Sequence, residues 1–247
     1  MSEDETDVNS DHAGPLALVG SGEYLAAMTD IEAELISGRP PRYVQIATAA
    51  VPDGPAVVDR WQRLGVEQAL RIGVTPVTVA VATREEANDP DIVALLDGAG
   101  LIYLSGGNPN FLAATLRDTA LWRAIESQWR AGAALAGCSA GAMVMAAWVP
   151  TIRHPREGGT PGLGLLSHLR VIPHFDAFMK RMPDIAARFL AGNVEGVTVV
   201  GVDEETALVG GPEDWTVRGA RSAWILKGSG RREFRSGETL RTPVDAE

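Results

Sequence analysis

The sequence lacks residues that several classes of protein require. Cys138 is the only cysteine among 247 residues, so no internal disulfide can form, which fits a reducing cytoplasm. Lysine and arginine number 22 against 32 aspartate and glutamate residues, which gives a net charge of −10. Because a nucleic-acid-binding protein needs a basic face, this balance argues against a nucleic-acid partner.

Membrane and cofactor signals are missing as well. No apolar run approaches the roughly 20 residues that span a bilayer, and the first residues lack the basic start and apolar centre of a secretory signal. We therefore expect a cytoplasmic protein with no membrane partner. No Cys or His cluster has metal-ligand spacing, and no dinucleotide or phosphate-loop fingerprint occurs, so neither a metal nor another cofactor is expected.

The charge is unevenly distributed along the chain. Residues 1–13 contain five carboxylates and neither lysine nor arginine, which predicts a disordered, solvated acidic tail. The remaining residues, 14–247, suffice for one sizeable core, and neither an internal repeat nor a linker divides them. We expect a single α/β domain in this part of the chain.

In the first half, short apolar runs alternate with segments of helical periodicity. The runs that predict buried strands are 15–20, 43–47, 74–81, 101–104 and 133–138. Pro76 places the third of these strands near an edge of the sheet. This alternation predicts a three-layer, doubly wound, mostly parallel sheet with helices on both faces.

The second half has a different pattern. Residues 149–164 are rich in proline and glycine and predict a loop, whereas 177–191 have a helical pattern. Residues 169–173 and 197–202 predict two more strands. The segments that predict short antiparallel strands flanking the sheet are 207–209, 215–217 and 223–226.

The motif with the clearest chemistry follows the fifth predicted strand. Gly137, Ser139 and Gly141 form a Gly-x-Ser-x-Gly pattern, typical of a nucleophile elbow, a strained turn that presents a serine hydroxyl above the end of a sheet. The helix that begins near Ala140 directs free N–H groups to the point where an oxyanion would form. The alternative is a glycine-rich turn with an incidental serine.

A serine nucleophile needs a base and a third group that orients the base. His174 directly follows a predicted strand, at the carboxyl edge where the elbow is expected, so it is the preferred base, with His154 second. Glu204 follows the strand at 197–202 at the same edge and is the preferred acid. The carboxylates that remain alternatives are Asp203, Glu205, Glu157 and Asp176.

The loop Gly106-Gly107-Asn108 follows the fourth predicted strand at this edge. Its glycines expose backbone N–H groups, as an oxyanion requires, and the N–H of Ala140 supplies a second donor. We expect Gly106 and Asn108 to contact the substrate. The alternative interpretation is a simple glycine turn between a strand and a helix.

Five ordered blocks resemble the serine peptidases that include aspartyl dipeptidase and cyanophycinase. The blocks are residues 106–108, 137–142, 162–166, 173–175 and 201–208. The turn Gly20-Ser21-Gly22-Glu23 after the first strand is also similar. The resemblance implies a fold related to the flavodoxin-like domain of class I glutamine amidotransferases, with a serine in place of their cysteine.

The same resemblance implies a role for each matching residue. Ser139 corresponds to the nucleophile, His174 to the base and Glu204 to the acid, while Gly107 and Ala140 correspond to the oxyanion hole. It implies that residues 14–247 form a serine hydrolase domain that cleaves small peptides or amides through an acyl-enzyme. A small peptide is therefore the expected partner, and a homodimer is compatible with the sequence.

The chain departs from cyanophycinases at two places. The series of arginines that follows their histidine is largely replaced by Asp176-Ala177-Phe178-Met179-Lys180-Arg181, and Pro173 stands where they have a glutamine. These departures argue against specificity for an aspartyl–arginine polymer. The basic residues expected near the cleft, as candidate ligands of a substrate carboxylate, are Arg153, Arg156, Lys180 and Arg181.

Two other functions are consistent with the sequence. Cys138 also lies between small residues before a helix, where its thiol pKa would be lowered, so the chain could be an amidotransferase-like or thiol hydrolase. The third hypothesis is a non-catalytic binding protein that keeps the fold and the pocket without turnover.

Overall fold

The structure, a computed structural model, describes four stretches of the chain. They are residues 13–150, 159–181, 196–227 and 230–244. The predicted acidic tail lies outside the described residues except for Ala13, so the division into a tail and a single domain stays a prediction.

Five parallel strands form the centre of the fold. They are β1 (Leu16–Val19), β2 (Arg42–Ile46), β3 (Thr75–Val79), β4 (Leu101–Leu104) and β5 (Ala134–Cys138). Their order is β1-β5-β4-β2-β3, and each neighbouring pair is parallel. β3 lies at the edge, as Pro76 predicts, because an edge strand tolerates a residue without an N–H group.

Helices connect these strands. They are α1 (Ala26–Ile36), α2 (Pro55–Arg71), α3 (Pro90–Ala94), α4 (Pro109–Leu116), α5 (Ala120–Arg130) and α6 (Ala140–Val144), with 3-10 helices at Thr48–Asp53 and Glu86–Asn88. The predicted α/β architecture with a mostly parallel sheet is confirmed.

The side chains of β1 explain why the sheet has helices on both faces. Leu16 and Leu18 pack into one apolar cluster, with residues of α4 and α5, whereas Ala17 and Val19 pack into another, with residues of α1 and α2. All four are at most 1% exposed. Successive side chains of a strand point to opposite faces, so a continuous apolar run requires a layer of helices on each face.

The C-terminal part adds an antiparallel edge and a second sheet. Its elements are β6 (Trp148–Pro150), β7 (Gly159–Pro161), β8 (Leu169–Ile172), α7 (Phe175–Arg181), β9 (Thr198–Val202), β10 (Thr206–Gly210), β11 (Asp214–Gly219), β12 (Ser222–Lys227), β13 (Gly230–Arg235) and β14 (Thr239–Arg241). β10, β11 and β14 extend the central sheet beyond β1 to eight strands, whereas β8, β9, β12 and β13 form a separate four-stranded sheet.

Several predictions for this part need correction. β10 and β11 flank the central sheet as predicted, but β12 pairs with β9 in the second sheet. Where a loop was predicted at 149–164, β6 and β7 form a two-stranded sheet, and residues 151–158 of that loop lie outside the described residues. Local patterns do not identify the partner of a short strand, because pairing is decided by residues distant in sequence.

Two general properties follow from the described stretches. Within them, no helix is both long enough and apolar enough to cross a membrane. No group of three or more His, Cys, Asp or Glu side chains there is arranged to hold a metal ion.

One carboxyl group lies buried between α1 and the sheet. Glu32 is 1% exposed, and its Oε2 accepts a hydrogen bond of 2.9 Å from the hydroxyl of Tyr43. Its Oε1 has no partner among the described residues. Burial raises the pKa of Glu32 to about 7, although the bond from Tyr43 partly offsets the effect.

This pKa predicts a pH-dependent stability. Between pH 4.5, the ordinary pKa of the group, and pH 7, folded Glu32 keeps a proton that the unfolded chain has released, so stability falls as pH rises. Glutamine does not titrate, so the stability of Glu32→Gln lacks this dependence. We expect the free energy of unfolding of Glu32→Gln, relative to that of wild type, to rise by up to about 3 kcal/mol from pH 5 to pH 8. Urea denaturation of both proteins at the two pH values measures the difference, and an unchanged separation of the curves would contradict the assignment.

Candidate active site

The predicted nucleophile lies where β5 ends and α6 begins. Ser139 has φ +50° and ψ −107°, a backbone conformation that costs a non-glycine residue about 1–3 kcal/mol. A Cβ atom on Gly137 would lie 2.4 Å from the carbonyl oxygen of Gly141, and one on Gly141 would lie 2.1 Å from that of Leu104. The small residues of the motif are therefore required by close contact between the strand, the turn and the helix.

Three predicted residues form one hydrogen-bonded chain. Ser139 Oγ lies 3.0 Å from His174 Nε2, and His174 Nδ1 lies 3.1 Å from Glu204 Oε1. His174 follows β8 with φ +50°, and Glu204 lies in the turn between β9 and β10. A carboxylate at Nδ1 favours the tautomer with its proton there, so Nε2 is able to accept the hydroxyl proton.

Asp176, in the first turn of α7, supports this chain at its acidic end. Its Oδ1 accepts the Glu204 N–H at 3.1 Å, and its Oδ2 pairs with Arg221. Partial burial raises the pKa of Asp176, but hydrogen bonds from the Glu204 and Ala177 amides and the charge of Arg221 hold it below its ordinary value overall. Its carboxylate therefore orients the segment that carries Glu204.

Asp203, another predicted alternative for the acid, directly follows β9, and its side chain is bound to the second sheet. Its Oδ1 accepts the indole N–H of Trp224 at 3.0 Å, and its Oδ2 accepts the N–H of Ser222 at 3.2 Å. Burial raises the pKa of Asp203 despite these bonds. Both oxygens thus bind β12 residues, whereas the neighbouring Glu204 contacts His174.

The other predicted candidates lie elsewhere. His168, which was not predicted as the base, is 7% exposed and bonds to the carbonyl oxygen of Pro212 at 3.1 Å. The candidates that fall outside the described residues are His154, Arg153, Arg156 and Glu157, together with the side chains of Lys180 and Arg181.

The loop after β4 borders the serine. A Cβ atom on Gly106 would lie 3.5 Å from the Cβ of Ser139. Gly107 has φ +141°, and a Cβ atom there would lie 2.3 Å from the carbonyl oxygen of Ala49. Both the conformation and the close approach therefore require glycine at position 107.

Two N–H groups near Ser139 are available as donors. Among the described residues, the N–H of Gly107 has no hydrogen-bond partner. The N–H of Ala140 lies in the first turn of α6, where no helical carbonyl precedes it. Ala140 follows Ser139 in the chain, and Gly107 follows Gly106, which borders Ser139. Two N–H donors that point to one position can stabilise a negatively charged oxygen there.

The other two residues of this loop have structural bonds. Gly106 donates its N–H to Glu23 Oε1 at 2.9 Å. Asn108 caps α4, because its Oδ1 accepts the N–H of Phe111 at 3.0 Å. The expectation that Gly106 and Asn108 contact substrate stays a prediction.

The comparisons with known proteins agree with this geometry. The model of peptidase family S51 matches residues 16–216. The chain belongs to peptidase family S51. The resemblance predicted from five sequence blocks, and with it a serine peptidase, is confirmed. No curated protein sequence matches the chain significantly.

Two solved structures are similar to this S51 peptidase. A peptidase from an acI-B1 Actinobacterium is 41% identical, with a TM-score of 0.85 over 94% of this chain and 98% of that one. A putative peptidase E protein from Listeria monocytogenes EGD-e is 17% identical, with a TM-score of 0.59 over 90% and 98% of the two chains. The second similarity concerns the fold alone.

The end of β1 and the turn after it connect the segments of the candidate site, and no residue of this turn was predicted to be functional. Three successive carbonyl groups, the last of β1 and the first two of the turn, accept main-chain N–H groups from the site. The bonds run from Ser139, His174 and Glu205 to Val19, Gly20 and Ser21, at 2.9, 3.3 and 3.1 Å respectively. A signal was available in Glu23, a carboxylate in the turn that follows a buried strand at the edge that carries the elbow.

Cys138 is unsuited to be the nucleophile of this peptidase. Its thiol is fully buried and donates a hydrogen bond to Glu23 Oε2. Burial, reinforced by the neighbouring Glu23 carboxylate, raises the pKa of Cys138 well above its ordinary value. These contacts argue against the thiol hydrolase considered above.

We expect iodoacetamide to leave the native protein unmodified at pH 8, because the Cys138 thiol is buried and protonated. Intact mass spectrometry before and after denaturation in guanidinium measures the reaction, and the unfolded chain provides the positive control. One carbamidomethyl group on the native protein within minutes would contradict the prediction.

Proposed function

We propose that this S51 peptidase hydrolyses small peptides or amides through an acyl-enzyme on Ser139. The observation that carries the proposal is the hydrogen-bonded chain from Ser139 through His174 to Glu204. A serine, a base and an orienting acid in this arrangement recur in hydrolases of unrelated folds. The two available N–H groups beside Ser139 add support.

In the proposed acylation step, Ser139 Oγ attacks the carbonyl carbon of the substrate while His174 Nε2 takes the hydroxyl proton. The carbonyl oxygen becomes negatively charged and accepts hydrogen bonds from the N–H groups of Gly107 and Ala140. Glu204 stabilises the imidazolium of His174. The bond to the amine then breaks, and Nε2 gives its proton to the leaving nitrogen.

Deacylation uses the same groups with water in place of the serine. His174 Nε2 takes a proton from water as its oxygen attacks the ester carbon, and the N–H groups of Gly107 and Ala140 again bind the oxyanion. Collapse of this intermediate breaks the ester bond and returns the proton to Ser139 Oγ. The products are a carboxylic acid and a free amine, and the enzyme is regenerated.

Dipeptides and other short peptides are the proposed substrates. The support is the resemblance to enzymes that cleave dipeptides or polymer ends, together with the replacement of the arginine series of cyanophycinases at Asp176–Arg181. A panel of dipeptides that includes Asp-X and isoaspartyl forms identifies the preferred side chain.

We expect Ser139→Ala to abolish labelling by a fluorophosphonate and to lower kcat on the best dipeptide by at least about 1,000-fold, because the acyl-enzyme cannot form. Ser127→Ala is the matched control, since Ser127 is an exposed serine on α5. Labelling of Ser139→Ala at the wild-type rate would contradict the proposal.

The identity of the acid is tested separately. We expect Glu204→Gln to lower kcat about 100- to 10,000-fold, because the amide favours the wrong tautomer of His174. Asp203→Asn removes the adjacent carboxylate and is expected to keep kcat within about fivefold of wild type. A larger loss of kcat in Asp203→Asn would assign the role of the acid to Asp203, provided that circular dichroism confirms the fold of the variant.

A further inference from the structure

Glu23 lies next to the candidate site, in the turn after β1, where its carboxylate contacts Gly106 and Cys138. It is 9% exposed and lies between two residues of left-handed backbone, Gly22 at φ +83° and Tyr24 at φ +67°. Burial of a carboxyl group is costly unless its oxygens are hydrogen-bonded. Among the described residues, Glu23 has no ion-pair partner, so its two hydrogen bonds account for its position.

Each oxygen of Glu23 holds a different wall of the site. Oε1 accepts the N–H of Gly106 at 2.9 Å, and Oε2 accepts the thiol of Cys138 at 2.7 Å. Gly106 precedes Gly107, and Cys138 precedes Ser139. One side chain therefore connects two parts of the site. These are the loop that carries Gly107, the first proposed oxyanion donor, and the elbow that carries Ala140, the second.

The contact with Gly106 bears directly on the orientation of the Gly107 N–H. The peptide between Ser105 and Gly106 is anchored by Glu23, and the peptide between Gly107 and Asn108 is anchored by the Ala49 carbonyl at 2.7 Å. The peptide between them supplies the Gly107 N–H. Because two glycines border this peptide, few steric barriers would prevent its rotation once an anchor is lost.

The neighbouring residue adds a second anchor to the same strand end. The hydroxyl groups of Tyr24 and Ser105 are hydrogen-bonded at 2.7 Å. The N–H of Ser105 in turn bonds to the Ile46 carbonyl at 3.0 Å. Ser105 is thus held without Glu23, which leaves the Gly106–Gly107 segment as the part that depends on the carboxylate.

We propose that Glu23 is a positioning residue of this peptidase, which aims the Gly107 N–H at the oxyanion and holds it in register with Ala140. The proposal rests on the proposed function of Ser139. Glu23 touches no reacting atom in this role and acts through the loop and the elbow. Correct placement of such a donor before reaction is what makes it effective.

Three variants separate the hydrogen bonds from the bulk of the side chain. Glu23→Gln keeps a carbonyl oxygen for the Gly106 N–H, and its amide can donate to the Cys138 sulfur. Glu23→Met fills a similar volume without a strong acceptor. Glu32→Met is the matched control, because Glu32 is another buried carboxyl group, and its hydrogen bond goes to Tyr43 rather than to the site.

The second-order rate of fluorophosphonate labelling is the first readout, and kcat and KM on the best dipeptide are the second. We expect Glu23→Met to lower the labelling rate and kcat about 10- to 100-fold while KM stays within about threefold. Glu23→Gln and Glu32→Met are expected to remain within about threefold of wild type in both, per folded molecule.

Two results would overturn the role of Glu23. One is wild-type labelling by folded Glu23→Met, and the other is a loss in Glu23→Gln as large as that in Glu23→Met. Should Glu23→Met fail to fold, Glu23→Asp replaces it: its carboxylate is one methylene too short to hold both walls, and a wild-type rate there also overturns the role. Ser139→Ala is run in parallel, since its undiminished labelling refutes the function of Ser139 itself.

Discussion

The site depends on one set of main-chain hydrogen bonds at the end of β1. Three successive carbonyl groups, from Val19 to Ser21, accept the N–H groups of Ser139, His174 and Glu205. Carboxyl ends of parallel strands are where ligand sites of open α/β sheets form. Here that edge also joins two sheets, because Ser139 follows a strand of the central sheet, whereas His174 and Glu204 follow β8 and β9 of the second. These bonds hold Ser139 and His174, which follow strands of different sheets, at one edge of the molecule.

A second constraint is the space around the elbow. The turn holds Ser139 at positive φ, and His174 and Glu205 also have positive φ. Such strain persists only where several independent contacts with the surrounding structure hold the backbone in place. The fully buried β1 and β5 provide that support, since they pair with each other and are covered on both faces. Because Gly106, Gly107 and Gly141 lack a Cβ atom, the loop after β4 and the start of α6 pack closely around the serine.

Much of the fold was accessible from local patterns. The five central strands are continuous apolar runs, and such runs are typical of strands buried on both faces. The edge position of β3 followed from a single proline. The second sheet was not accessible, because β9 and β12 could equally have extended the central sheet. The pairing of strands depends on how side chains from distant segments are buried together. A local sequence pattern contains no information about that burial.

The residue types of the candidate site, and their order along the chain, were determined by the sequence itself: an elbow serine, a histidine and an acid at strand ends, and a glycine loop. Only the tertiary structure decided between Glu204 and Asp203 as neighbours of His174, because the contacts of each carboxylate are made with segments distant in sequence. It likewise revealed the buried thiol of Cys138 and the two bonds of Glu23. Burial and hydrogen bonding arise when distant segments of the chain pack together. They determine the pKa and the reactivity of a side chain, whereas the sequence shows only its type.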